Sequence, residues 1–279
     1  MAENMNQLVE EILRGSYDLH VHAGPDPERE RRMDALDVGR AAHEAEMAGF
    51  VLKSHLYPTA ASAHTLNRVY PGLDVAGSIA LNREVGGLNP HAVLTAAKMG
   101  ARVVWMPTRS ADAPSGDYPA IRLADGSGKL RPEVHEVLDV VREHDMVLAS
   151  GHAPPQEAIT LFQDAAARGI TRMIATHPSG VANHDEMREM VAAGAFVEFT
   201  FLECMPLWRS STPPEMVAAI RKLGVESCVV TTDFGHWMNP PAAEGMRMAI
   251  ATLLDAGMAA DEVETLVKTN PLKLVGKDD

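Results

Sequence analysis

The chain alternates two kinds of segment. Stretches with apolar residues three and four apart close on a glycine at Gly49, Gly100, Gly169, Gly194 and Gly224, and a short apolar run follows each at once. That spacing is the period of one helix face, and glycine just past a helix end adopts the left-handed C′ conformation without a Cβ clash. The helix starts are equally legible. Asn89-Pro90 and Thr212-Pro213 read as N-cap followed by N1 proline, and Asn183 with Glu186 has capping-box spacing. The apolar runs predict eight strands, over 17–22, 50–55, 75–81, 102–106, 146–152, 172–177, 195–200 and 228–233. Helices are predicted over 34–48, 59–69, 90–99, 132–144, 155–168, 183–193 and 213–223, with two more over 240–256 and 260–268 and a short amphipathic one at the N-terminus.

Near-continuous Val, Ile, Leu and Ala in several strands is the pattern of a parallel sheet covered by helices on both faces. Eight strands alternating with helices in 279 residues predict a (β/α)8 TIM barrel, taken as a single domain over 1–279. The one long loop, 107–128, is rich in Ser, Asp, Pro and Gly and leaves the fourth strand. A surface insertion and an active-site lid both fit it.

Polar residues at the strand ends change the picture from architecture to chemistry. In Asp18-Leu19-His20-Val21-His22 the two histidines are two apart, so they project to the same side of a strand and can present two imidazoles to one ion. Such a pair alone reads better as a wet turn with two solvated histidines. However, His55, His152, His177 and Asp233 end four other predicted strands, and in a parallel barrel all C-terminal strand ends meet at one mouth. Neutral imidazoles with a carboxylate are the ligand set of zinc and similar divalent ions, manganese among them. His43, His64, His91, His135, His144 and His184 fall on helical stretches, where solvated or half-buried roles suffice. His236 follows Asp233 by three residues.

Composition narrows the partners. A net charge of −13, from 38 acidic and 25 basic side chains, argues against nucleic acid and anionic membrane surfaces. Two cysteines exclude a disulfide framework or a thiolate zinc site; Cys228 is expected to pack as a small hydrophobe and Cys204 to be an inert thiol. The first residues lack a signal-peptide pattern and no apolar stretch approaches a membrane span, so a cytoplasmic location is expected.

Taken together, these residues resemble the amidohydrolase superfamily of metal-dependent hydrolases. Asp18-x-His20-x-His22 is similar to its opening signature, His152 in Ala-Ser-Gly-His to its strand-five ligand, His177 in Ala-Thr-His-Pro to its strand-six histidine, and Asp233 in Thr-Thr-Asp to its strand-eight aspartate. The segment from Asn270 to Gly276 resembles the Asn-Pro-Ala-x-x-x-Gly helix near the end of such chains. The departure is strand four. Many binuclear members carry a carboxylated lysine or a glutamate there, where this chain has Val103-Val104-Trp105-Met106-Pro107. The resemblance therefore implies either one ion, on His20, His22, His152 or His177, and Asp233, or a second ion held with help from His55 or a modified Lys53. An ordinary cation at Lys53, neutralising Asp233 or gripping a substrate anion, is the preferred alternative.

A divalent ion lowers the pKa of its water toward 7 and polarises carbonyls, so the expected reaction is hydrolysis of an amide, cyclic amide or lactone of a small substrate. Asp233 is the candidate general base, and His177 is the second catalytic candidate. Asp18 is expected on the opposite strand face from the pair, orienting a neighbouring group. Arg83 or Arg109 is expected to grip a substrate carboxylate. Trp105 and His236 are further substrate-side candidates, and Phe201, Trp208 and Trp237 are aromatics that could wall a pocket. The rivals are a metal-dependent decarboxylase or hydratase of a small carboxylic acid, a phosphoesterase, and a non-catalytic metal-binding protein. Assembly as a homo-oligomer is expected.

Overall fold

Every apolar run forms a strand: β1 (Tyr17–His22), β2 (Gly49–Lys53), β3 (Asp74–Ala80), β4 (Ala101–Trp105), β5 (Val147–Ala149), β6 (Met173–Ala175), β7 (Phe196–Thr200) and β8 (Cys228–Thr231). The structure, a computed structural model, describes residues 2–111 and 118–277. One eight-stranded sheet takes the strands in chain order. Its register is parallel throughout the pairs from β2 to β7, for example Phe50 opposite Val75 and Val104 opposite Leu148. The last strand returns to the first. The His22 N–H donates to the carbonyl of Phe234 at 2.8 Å, the Asp233 N–H donates to that of His20 at 3.0 Å, and Val21 bridges Phe234 in parallel sense. With helices between the strands this is the expected (β/α)8 TIM barrel.

The helices are α1 (Ala2–Leu13), α2 (Ala35–Glu44), α3 (Ala60–Val69), α4 (Pro90–Lys98), α5 (Pro132–Glu143), α6 (Pro155–Ala167), α7 (His184–Ala192), α8 (Pro213–Leu223), α9 (Ala242–Asp255), α10 (Ala260–Glu264) and α11 (Asn270–Leu274). The capping signals perform as the sequence implies. Asn89 accepts from the N–H groups of His91 and Ala92, and Asn183 and Glu186 form the full capping box.

Four of the five stop glycines, Gly100, Gly169, Gly194 and Gly224, have φ between +85° and +93°. Gly49 does not. It opens β2, where a Cβ would stand 1.9 Å from the Asp74 carbonyl oxygen, so close approach of backbone selects glycine there. Helix α2 stops earlier than its pattern, with Glu46 taking the positive φ of +54°. The helix expected over 260–268 is broken by a π-helical turn at Thr265–Thr269.

By packing, the chain divides into two compact units. Residues 1–52, 62–76 and 198–279 form the first, and residues 53–61 and 77–197 the second. In the first, α1 and α2 pack against α9 behind β1 and β8. In the second, α4 packs on α5 and α6 on α7, over a core in which Val103, Val104, Leu148 and Ala149 are fully buried. That burial along consecutive residues is what a strand covered on both faces requires. Of the loop over 107–128, residues 112–117 lie outside the described residues, so the lid expectation falls partly there.

Candidate metal centre

In the first unit β1 and β8 place His20, His22 and Asp233 against one another. His20 Nε2 lies 3.0 Å and His22 Nε2 3.2 Å from the same oxygen, Asp233 Oδ1. Both histidines are buried, whereas the Asp233 side chain keeps 16% of its surface exposed. Among the described residues these are the three whose ligand atoms converge, all within 4.8 Å of one another. Ligands about 2.1 Å from a tetrahedral zinc ion stand about 3.4 Å apart, so the spacing suits one ion.

The surrounding bonds fix how these groups point. His20 Nδ1 donates to Glu198 Oε1 at 3.0 Å, which leaves Nε2 as the nitrogen directed at Asp233. Glu198 is itself held by the Thr231 hydroxyl at 2.9 Å. Asp18 Oδ1 accepts the N–H groups of His20 and Thr232, each at 3.1 Å, and Oδ2 accepts the Thr232 hydroxyl at 2.6 Å. Asp18 thus ties β1 to the end of β8. The expectation that it lies across the strand from the histidines is corrected by parity, because residues 18, 20 and 22 of one strand share a face. Its expected role, orienting a neighbour, fits these bonds.

Backbone geometry sharpens the site. Asp233 has φ of +54°, a left-handed conformation that Asp tolerates better than most residues, and β8 ends at Thr231, two residues before the sequence pattern does. Gly235 follows at φ +148°, where a Cβ would meet the His22 carbonyl oxygen at 2.3 Å. Burial pushes the Asp18 carboxyl up to about 7. Burial also pushes the His22 imidazole well below its usual range, keeping it neutral. At Asp233 burial raises the pKa, but the charge and hydrogen bond of His20 and the hydrogen bond of His22 outweigh it and hold the carboxyl well below the usual range.

The second unit carries its own histidine group. His152 and His177 have ring centroids 5.1 Å apart, and His55 lies 6.4 Å from His152. His55 Nδ1 is 2.9 Å from the Thr108 hydroxyl, and Asn82 locks this corner through bonds to the His55 carbonyl and to Thr108. Gly151 explains the Ser-Gly-His sequence: its φ is +60°, and a Cβ would meet the Met106 carbonyl oxygen at 2.1 Å. Lys53 is 1% exposed, with Nζ 4.1 Å from the centre of the Trp105 ring, itself fully buried. Arg83 bonds the Pro119 carbonyl, lies over the Tyr118 ring and lines a cavity of about 580 Å³ with Arg122, Arg131 and Glu133. Arg109 is half-buried after β4.

In the first unit His236 packs against Trp208, with centroids 5.4 Å apart and the rings tilted by 38°. Burial pushes the Cys204 thiol up to about 11, in keeping with an inert sulfur, and Cys228 is fully buried. Sequence reasoning missed Glu198. Its signal was a lone acid at the centre of the apolar strand Phe196-Val197-Glu198-Phe199-Thr200.

Residues 15–198 match the model of a family described as "Family of unknown function (DUF6282)". The chain belongs to that family. No curated protein matches the DUF6282 chain in sequence. Its fold is shared with solved structures. An amidohydrolase from Pseudomonas aeruginosa is similar at a TM-score of 0.68 and 12% identity, over 98% of either chain. An organophosphorus hydrolase from Deinococcus radiodurans is similar at a TM-score of 0.61 and 14% identity, over 94% of this chain and 92% of that one. Among the described residues no helix is long and apolar enough to cross a membrane.

Proposed function

We propose that this DUF6282 protein is a metal-dependent hydrolase of a small carbonyl compound, with His20, His22 and Asp233 as ligands of a divalent ion. The observation that carries the reading is the convergence of two imidazole nitrogens on one carboxylate oxygen, at 3.0 and 3.2 Å, with Glu198 fixing the His20 tautomer. The likeness in fold to an amidohydrolase and an organophosphorus hydrolase supports it. When bound, the ion supplies Lewis acidity and a water acidified toward pKa 7.

The chain's own residues supply the rest. Asp233 meets both histidines through Oδ1, which leaves Oδ2 to orient the attacking water, take its proton and hand it to the leaving group. Partial exposure of Asp233 beside two buried histidines gives that oxygen access to substrate. Glu198 holds the His20 ring in place, and Asp18 with Thr232 holds the strand ends in register. His152 and His177 are proposed as further ligands, and His177 as a second catalytic group. Arg83, Arg109, Trp105 and His236 are proposed to contact substrate. His55 is a ligand only if a second ion binds, and Lys53 acts as a cation. Zinc is the expected metal, with manganese next, in a cytoplasmic homo-oligomer.

The test is elemental analysis of protein purified without chelator, joined to turnover of a panel of amides, cyclic amides and lactones. We expect a stoichiometric divalent metal and a hydrolysed product, with turnover falling by at least about a hundredfold in Asp233→Asn. Metal-free protein that still turns over would overturn the metal reading. Release of carbon dioxide without a hydrolysed bond would assign the site to decarboxylation, and turnover indifferent to His20→Ala would remove it from catalysis.

A further inference from the structure

Beside the metal centre, two loops of the first unit are laced together. The segment after β1 lies against the segment after β8: Arg31 bridges His236, the Arg32 N–H donates to the Gly235 carbonyl at 3.1 Å, and the Trp237 N–H donates to that of Glu30 at 3.3 Å. Within the first loop Asp26 makes a turn, its Oδ1 accepting the N–H groups of Glu28 and Arg29. Its Oδ2 takes both Nε and Nη2 of Arg31, at 2.9 and 2.6 Å. The Arg31 side chain is only 3% exposed and that of Asp26 5%.

This fork uses two of the three guanidinium nitrogens. The third, Nη1, is buried and has no hydrogen-bond partner among the described residues. The same is true of Asn239 Nδ2, in the other loop, whose backbone N–H donates to the His236 carbonyl at 3.0 Å. Buried donors without acceptors are rare, and a buried guanidinium is unfavourable unless its hydrogen bonds are completed. Two such donors, one charged, stand in loops joined at His236, and each lacks an acceptor among the described residues. Burial, and after it the charge of Arg31, push His236 below its usual range, so that charge reaches His236. The His236 ring in turn packs against Trp208 at a tilt of 38°, and Trp208 and Trp237 are exposed, at 41% and 52%.

We propose that Arg31 and Asn239 form an anion subsite for the carboxylate of a flat, apolar carboxylic acid, whose body lies against His236 and Trp208. The proposal rests on the hydrolase reading above and names the substrate class for that site. A carboxylate fits better than a phosphate. The Arg31 charge is already paired with Asp26, so what remains is one guanidinium nitrogen and one amide, matching two oxygens that share a single charge. A phosphate dianion would meet an Arg31 charge that Asp26 already balances, on a chain whose net charge is −13.

The experiment uses the full chain stripped of metal by chelator, so that no ion can capture the ligand. Tryptophan fluorescence follows titration with phenylacetate, its neutral counterpart phenylacetamide, and inorganic phosphate. We expect phenylacetate to bind at least about tenfold tighter than phenylacetamide, the effect of one charge-assisted hydrogen bond, and phosphate to bind weakest. Arg31→Gln should bring acid and amide to equal affinity, and Asn239→Asp should weaken the acid by at least about tenfold while leaving the amide within about twofold.

Equal binding of acid and amide by the wild-type protein overturns the proposal, as does an unchanged ratio in Arg31→Gln or a preference for phosphate. Should Arg31→Gln fail to fold because Asp26 is left buried, the wild-type ratio and the Asn239→Asp variant still decide. Acid preference in a protein that never binds metal would leave the subsite standing and overturn only the hydrolase reading.

Discussion

At the scale of single residues, the groups around the ion candidates divide by what each carboxylate accepts. Glu198 accepts from His20 Nδ1 and Thr231, so its loss frees the ring and leaves two buried donors without an acceptor. Glu198→Ala should lower metal affinity by about 10- to 100-fold in chelator competition, with circular dichroism unchanged. Asp18 gives a pH signature instead. Its folded carboxyl is raised to about 7 from an ordinary 3.8, so the folded state holds the proton more tightly than the unfolded chain. Its contribution to stability is therefore greatest below about pH 4 and is lost as pH rises toward 7. Asp18→Asn should remove that slope, gaining stability relative to wild type across this window in urea titrations at several pH values. Of these two acids only Asp18 was legible in the sequence, because the histidine pair drew attention to its strand. Glu198 stood in an apolar strand with no partner nearby in sequence, and its partner is 178 residues away.

At the scale of elements, helix caps and stop glycines were readable because they are local: the cap and the groups it satisfies lie within four residues. Gly49 was misassigned for the opposite reason, since what crowds it is the Asp74 carbonyl on the neighbouring strand. The two kinds of glycine should separate on substitution. Gly49→Ala should destabilise by about 2 kcal/mol or more through overpacking, whereas Gly100→Ala, with open space around its Cβ and φ of +92°, should cost about 1 kcal/mol, both measured by urea denaturation. Strand ends were placed too late at His55, His152, His177 and Asp233. Apolar runs do predict the strands, but His177 and Asp233, each two residues past its strand, have positive φ, which turns the chain away from the extended conformation there.

At the scale of the whole molecule, the proposed metal binding would be coupled to folding. A ligand that binds only the folded state adds about 2.7 kcal/mol at a hundred times its dissociation constant, so zinc should raise the melting temperature of chelator-treated protein and His22→Ala should abolish the rise. Because burial keeps His22 neutral well below its ordinary 6.5, the zinc-induced rise should be as large at pH 6 as at pH 7.5. An exposed histidine ligand would lose part of it to protonation. The sequence by itself determined the (β/α)8 barrel and the histidine pair, since helix and strand periods, caps and a two-residue spacing are all written within one element. Only the tertiary structure decided that Asp233 meets both histidines, that Glu198 sets the His20 tautomer and that Arg31 keeps a buried nitrogen unbonded. Those facts depend on ångström distances between residues as far as 213 positions apart, which no local pattern encodes.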